Sequence, residues 1–474
     1  MRRVLGGIVI AGLVVSAALL PAPGPEAAPS FTGALAQDVN AAARSSVWYC
    51  PWVSSGALRD SAFLIAAAVP VDATVTMPSP IPNEEPDEDV ATVPGPGATV
   101  VDVGAIVRRG ETPGFVELDD GPATVGAMVD AENLLAGDRC VASAPKIWYL
   151  PGGTTREGRQ FTLRLFNPFP EAAKASVTGV SEFGDAGLGE LASLDVPGRS
   201  WRDVNLNQIV PLLDDLSLTV TTSEGVVIPT VALSGGDDEA TWPGIGPATS
   251  WAFPVVNAGG LVPSLVLTNP GSLPAEVEVD VHTAEGTVTD AVVIEVSPDV
   301  PRRLTFEDFG SDPFGITVRS STAVAAAVIA EDVPRLVVDD AGANTGTADD
   351  TGGATGDDEA DVAGDRIAGT VGASEPAASW LLPGPGSVVG AETSIWLLNG
   401  GEETATVTLQ PLGDAGPGPS VKVLVDAGTL LEVPVAYDTA VAGYRVESST
   451  PISVQWTAVA ARGVAYFAGV AVGE

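Results

Sequence analysis

The sequence predicts an all-β protein: a tandem array of four immunoglobulin-like β-sandwich units after an N-terminal hydrophobic segment. Three observations predict it. Val, Ala, Leu and Ile fall in short runs broken by turn formers, with 54 Gly and 39 Pro among 474 residues. Many short strands and tight turns need that composition. Hydrophobic residues make up 45% of the chain, so it can bury a core despite a net charge of −39. Four features also recur in fixed order, the mark of a tandem array.

The first feature is a Trp near an apolar–Pro step. It is Trp48 in WYCP, Trp148 in WYLPGG, Trp251 in WAFP and Trp380 in WLLPG, at intervals of 100, 103 and 129 residues. About 19 residues after the later three, a strand ends in Asn: Asn167 in FTLRLFNP, Asn269 in SLVLTNP and Asn399 in SIWLLNG. Asn can fold its side chain onto the backbone, and a following Pro removes the next ladder donor, so the step reads as a strand stop. The first copy has AFLIAAAVP there instead. An alternating run comes next, as in Val277-Glu278-Val279 and Val407-Thr408-Leu409, with one face for a core and one for water. The last feature reads as strand, polar turn, strand, as in ITVRSSTAVAAAV and YRVESSTPISVQW, and predicts a hairpin.

These features divide the chain into sandwich units at 45–143, 144–246, 247–337 and 376–474. About seven strands in about 100 residues fits an immunoglobulin-like sandwich. A propeller is the competing reading, although its blades are usually shorter, about 40–50 residues. No long helix is expected, and Val204–Leu216 has room for a short one. The longest Trp interval has a plain cause in residues 338–375, where VDDAGANTGTADDTGGATGDDEADVAGD is acidic and has no aromatic. It reads as a disordered linker between the third and fourth units. Calcium is the alternative ligand for clustered Asp, but no D-x-D-x-D-G loop is present.

Residues 1–20 read as a signal peptide or membrane anchor. Arg2 and Arg3 precede an uncharged run from Val4 to Leu20, a positive region followed by a hydrophobic one. Its length suits either fate, and both remain open. Residues 21–44 form a Pro-rich linker. Everything beyond is expected to be extracytoplasmic, anchored or secreted. In that compartment the two cysteines, Cys50 and Cys140, are expected to form a disulfide. A redox or metal pair has no C-x-x-C spacing behind it.

Charge and rare residues narrow the chemistry. With 61 acidic against 22 basic residues, nucleic-acid binding is not expected, and membrane contact is expected only through the N-terminal segment. The single histidine, His282, ends an alternating strand and reads as an exposed turn residue rather than a general base. Gly187–Ala192 matches G-x-G-x-x-A, but without the strand–turn–helix context of a dinucleotide site. No catalytic residue, cofactor or metal site is expected. Carboxylates for glycoside hydrolysis are present in number, but none is singled out.

The W-x-x-P opening, the L-x-N-P strand end and the V-x-S-S-x-P close together resemble a repeat of exported actinobacterial envelope proteins, a family catalogued only as a domain of unknown function. The resemblance spans about residue 45 to the end. It is clearest through Trp251, Asn269, Pro270, Trp380, Pro383, Asn399, Ser448, Ser449 and Pro451, and weakest in the first unit. It implies an N-terminal anchor and β-repeats outside the membrane, and it carries no catalytic residues. The repeated Trp residues read as core. The non-repeated Trp201, Trp242 and Trp396, with Trp52, are the candidates for exposed platforms that stack on sugars. The sequence thus points to a non-catalytic structural or interaction protein of the cell envelope, a rod or spacer for an envelope protein or glycan partner. Glycan binding through exposed Trp is the alternative, and a hydrolase comes last.

Overall fold

The computed structural model describes residues 39–40, 45–53, 59–81, 84–107, 110, 112–119, 121–236, 238–332, 366–384, 388–436 and 438–473. The hydrophobic run, most of the 21–44 linker and the acidic stretch up to residue 365 lie outside these residues. No helix among the described residues is long and apolar enough to cross a membrane.

The chain is all-β, and its strands form four repeats of one two-sheet plan. In repeat two the strands, first to eighth, are Ile147–Gly153, Gln160–Asn167, Ala173–Ser181, Leu194–Val196, Ser200–Asn205, Leu216–Glu224, Ile228–Gly235 and Asp238–Pro243. The first, sixth, third and fourth form one sheet in that order; the fifth, second, seventh and eighth form the other. Repeats one, three and four follow the same order. An immunoglobulin domain groups strands A, B, E and D against C, F and G, so the all-β sandwich expectation stands while that pairing is replaced. The reason lies in the segment read as a hairpin. Gly315–Glu331 and Gly443–Ala460 are each a continuous strand. The first half of each pairs in one sheet and the second half in the other. The Ser-Ser step is where the strand changes sheets. Alternation holds where one sheet face meets the core: Ala173–Ser181 reads buried and less buried in turn. The helix expected within Val204–Leu216 is a single 3-10 turn, Leu206–Gln208, capped by the Asn205 side chain, which accepts from Asn207 N–H at 3.0 Å.

The recurring Trp and Asn residues are structural. Trp148 and Trp251 are buried, and their indole N–H groups donate to the carbonyls of Val227 (3.1 Å) and Val324 (2.9 Å), at equivalent places in two repeats. Asn167, Asn269 and Asn399 are also buried. Asn399 Nδ2 donates to the carbonyls of Glu403 (2.8 Å), Val425 (3.0 Å) and Asp426 (3.1 Å), while its Oδ1 accepts from Gly401 N–H at 3.1 Å. Asn269 does the same with Leu273, Val296 and Gly271. The side chain thus pins the turn after the second strand to the end of the fourth. Asn399→Ala orphans these buried groups and should cost about 2–3 kcal/mol, measurable as a lower denaturant midpoint. Repeat one has Ala67 at this place, which is why the sequence feature vanishes there.

The four repeats close into a ring. The eighth strand of each lies at the centre. Leu134–Arg139 packs on Asp238–Pro243, this on Ile367–Val371, this on Gly463–Ala468, and the last returns to Leu134–Arg139. The rod expected from a tandem array is corrected. The cause is apolar surface beyond what one sandwich can bury. Ile367–Val371 and Gly463–Ala468 are buried on both faces, and runs such as AVAAAVIA carry no polar alternate. Strands of that kind need cover on both sides. Large residues meet glycines across the seams: a Cβ on Gly369 would sit 2.6 Å from the Trp242 ring, and one on Gly137 would overlap Phe467. The seam between repeats four and one is closed without a covalent link. Leu135 N–H donates to Arg462 O at 3.2 Å, and Arg462 Nε to Asp130 at 2.7 Å. The final strand, Val470–Gly473, pairs with the first strand of repeat four and, in parallel, with Val39–Asn40, while Val470 itself is buried in the core of repeat one.

One domain boundary moves. Ile367–Val371 was assigned by sequence to the 338–375 linker, yet it is the eighth strand of repeat three, paired with Gly315–Glu331. The acidic stretch therefore interrupts repeat three between its seventh and eighth strands. Asp332 and Arg366 close its base, with Arg366 Nη2 2.8 Å from Asp332 Oδ1 and Asp332 N–H donating to Arg366 O at 3.1 Å. The largely apolar segment IAGTV needs burial that an acidic linker cannot give.

Candidate functional site

The side chains with chemical potential gather at the seams. Cys50 and Cys140 form the expected disulfide, buried in repeat one. Beside it, a cavity of about 30 Å³ opens between repeats one and two, lined by Trp52, Asp138, Arg139, Glu239 and Trp242 among others. Burial pushes the Asp138 carboxyl up to about 7, against the opposing pull of Arg139 and its backbone N–H. Burial likewise brings Arg139 down to about 10, with Asp138 resisting. Nearby, Arg164 is buried and forms a bidentate pair with Asp203, at 2.7 Å on both arms. Its guanidinium lies 4.1 Å from the centroid of Trp52 and 6.0 Å from that of Trp201, a stacked cation between aromatic rings.

The candidate sugar platforms fare differently from one another. Trp242 is fully buried, its indole N–H donating to Pro151 O at 2.9 Å and its ring stacked on Phe161 at 6.2 Å. Trp396 is 4% exposed, and its N–H donates to Thr457 Oγ1 at 2.9 Å. Neither is the exposed platform expected from sequence. Ring closure is the reason: Ile395 faces the core of repeat four, and the alternate face with Trp396 meets Ala252 and Val255 of repeat three. Trp52, at 8% exposure, is covered in the same way. Trp201 alone is half-exposed, with one side towards Arg164.

His282 is also corrected. It is 3% exposed, not a surface turn residue. Nε2 lies 2.9 Å from Thr317 Oγ1, and Nδ1 lies 2.9 Å from Thr287 Oγ1 and 3.3 Å from Gly428 O of repeat four. Burial lowers its pKa, so the neutral ring is favoured. Gly187–Ala192 holds one 3-10 turn, Gly189–Leu191, with no parallel βαβ unit around it. Among the described residues no three metal-binding side chains cluster; the acidic stretch with the calcium alternative lies outside them.

Asp238 is the site residue that sequence reasoning missed. It sits at the ring centre, where Oδ2 accepts from Ile367 N–H of repeat three at 2.9 Å and Oδ1 from Glu239 N–H at 2.8 Å. A Cβ on Gly463 of repeat four would lie 3.1 Å from Oδ1. Burial pushes Asp238 up to about 7, opposed by those N–H groups and Arg366 and aided by Asp332. The available signal was slight, an acidic pair opening the strand DEATWP. Two larger clefts flank the seam of repeats three and four. One, about 440 Å³, is walled by Asp280, Arg319, Glu402, Glu403 and Thr450. The other, about 370 Å³, is walled by Phe309, Phe314, Trp396, Glu285, Asp312 and Glu432.

Comparison with known proteins adds a family likeness and no activity. Residues 122–335 match a family model described as a family of unknown function, DUF5719. That stretch is just under half of the chain, from the seventh strand of repeat one into repeat three. No curated protein matches. Among solved structures, the crystal structure of Thermotoga maritima 1070 is similar at 16% identity, over 27% of this chain and 95% of that one, with a TM-score of 0.19. A tetra-tandem repeat from the extending region of a large adhesion protein is similar at 13% identity, over 86% of this chain and 92% of that one, with a TM-score of 0.11. Scores this low carry no argument about this chain.

Proposed function

We propose that the protein is a non-catalytic structural or interaction protein of the cell envelope, held or released outside the membrane. The observation that supports this most is where its reactive side chains go. Asp238 and His282 bond across repeats, and Arg164 pairs with Asp203 in its own repeat while stacking on Trp52 of repeat one. The disulfide and the positively led N-terminal hydrophobic run support an oxidising, extracytoplasmic setting. The role proposed is a compact ring that presents its rim to partners, replacing the rod. Its charge of −39 keeps it soluble and repels anionic polymers. In-cell cross-linking tests this reading: envelope proteins should be trapped at the rim, and exclusive recovery of cytoplasmic proteins would count against it.

Glycan binding is the second reading, favoured by the cleft in which Phe309, 37% exposed, stands beside Glu285, Asp312 and Glu432. Aromatic faces with nearby acceptors suit sugar rings. Co-sedimentation with cell-wall polysaccharide separates the two readings. A glycan binder should lose at least about tenfold in affinity, roughly 1.4 kcal/mol, on Phe309→Ala or Trp201→Ala. No binding, or binding that both variants keep, would leave the protein-partnered role.

A further inference from the structure

We propose that the cavity between repeats one and two is a built solvent site, holding bound water that links Asp138 to Trp52 and to the hydroxyls of repeat two. The argument begins with which atoms face it. Asp138 pairs across the strands with Ala127, and Ala136 with Val129. All four line the cavity, so they share one face of the sheet and the Asp138 side chain points into the space. Across it stand Thr230, Glu239 and Thr241 of repeat two.

Three buried polar atoms of this lining have no partner: Asp138 Oδ2, Arg139 Nη1 and Trp52 Nε1. Their residues are 7%, 4% and 8% exposed. A buried polar group without a partner costs about 1–3 kcal/mol, and three at one seam would be a heavy penalty. The indole and guanidinium nitrogens need an acceptor, while the carboxylate oxygen needs a donor. A bare ion satisfies one kind or the other. Water both donates and accepts. Size leads to the same ligand. Space of about 30 Å³ for the centres of water-sized spheres is room enough for ordered water. Thr230 Oγ1 already donates to Trp242 O at 2.9 Å and keeps lone pairs for a water. Each water thereby finds the two to four partners that buried water needs.

The consequence is a seam at which solvent adds to the direct stacking of Arg164 of repeat two on Trp52 of repeat one. Here the waters lie against the wall carrying Cys50–Cys140.

A crystal structure of the whole protein, at a resolution that orders solvent, tests this. Ordered water peaks are expected within about 3.2 Å of Asp138 Oδ2 and of Trp52 Nε1. An empty cavity, an ion peak, or direct pairing of Asp138 with Arg139 would overturn the proposal. In solution, the Trp52 indole proton should show a magnetisation-transfer peak to long-lived water. Ala136→Leu, which fills the cavity, should abolish that peak. Its absence from the wild type, or its survival in a folded filled variant, would overturn the proposal as well.

Discussion

Acidifying the protein from about pH 8 to about pH 5 should stabilise it by about 5 kcal/mol through two buried carboxyls, Asp138 and Asp238. Burial is the leading cause in each case and raises both to about 7 from the ordinary 3.8. Between those values the folded state binds protons that the unfolded chain does not. Stability is therefore present at low pH and is lost as the pH rises through about 7. Between pH 8 and pH 5 each group contributes on the order of 2–3 kcal/mol. His282 works in the opposite direction: burial lowers its folded pKa, so its contribution is lost as the pH falls below about 6.5. Repulsion among the 61 acidic residues has the same sign as the two carboxyls, so the wild-type curve alone does not isolate them. Asp138→Asn does. It has nearly the same shape and cannot ionise, so it removes this group's proton linkage. Scanning calorimetry across this pH range should show the variant more stable than the wild type at the alkaline end, with about half of the two-carboxyl dependence gone. A variant curve parallel to the wild type would refute the assignment.

Phe467→Ala should cost about 3–5 kcal/mol. Phe467 has no exposed surface, and its ring fills the space that Gly137 leaves empty in repeat one. The two positions are 330 residues apart in sequence and meet only because the ring closes. That permits a sharper test. Gly137→Ala should destabilise the wild type, because the added carbon overlaps the Phe467 ring. In the Phe467→Ala background the same change should be neutral or favourable, because it fills part of the cavity. Denaturant unfolding of the four proteins should therefore give a coupling of about 1–3 kcal/mol. An open array would give additive effects.

Much of the fold was legible in the residues. Trp148 and Trp251 marked repeat openings because each fills the same core position. Asn167, Asn269 and Asn399 marked strand ends because each bonds the turn that follows it. The strand pairing was not legible, since Ser448-Ser449 reads alike as a tight turn or as a bend between sheets. Ring closure left a trace that local reading passes over: AVAAAVIA lacks polar alternates, and IAGTV has one polar residue, Thr370, because both of their faces are covered. For the same reason Trp242 and Trp396 read as surface and proved to be interior. Each lies on a face that a lone sandwich would give to water. Asp138 and Asp238 were invisible as special among so many acids, because burial at a seam is set by another repeat far along the chain.

Small-angle X-ray scattering tests the closed ring most directly. A compact body of this length should have a radius of gyration of about 23 Å. The ring predicts a value close to that and a single-peaked distance distribution. A value roughly twice as large, with a long tail in the distribution, would mean that the four repeats lie end to end, and the ring would be wrong.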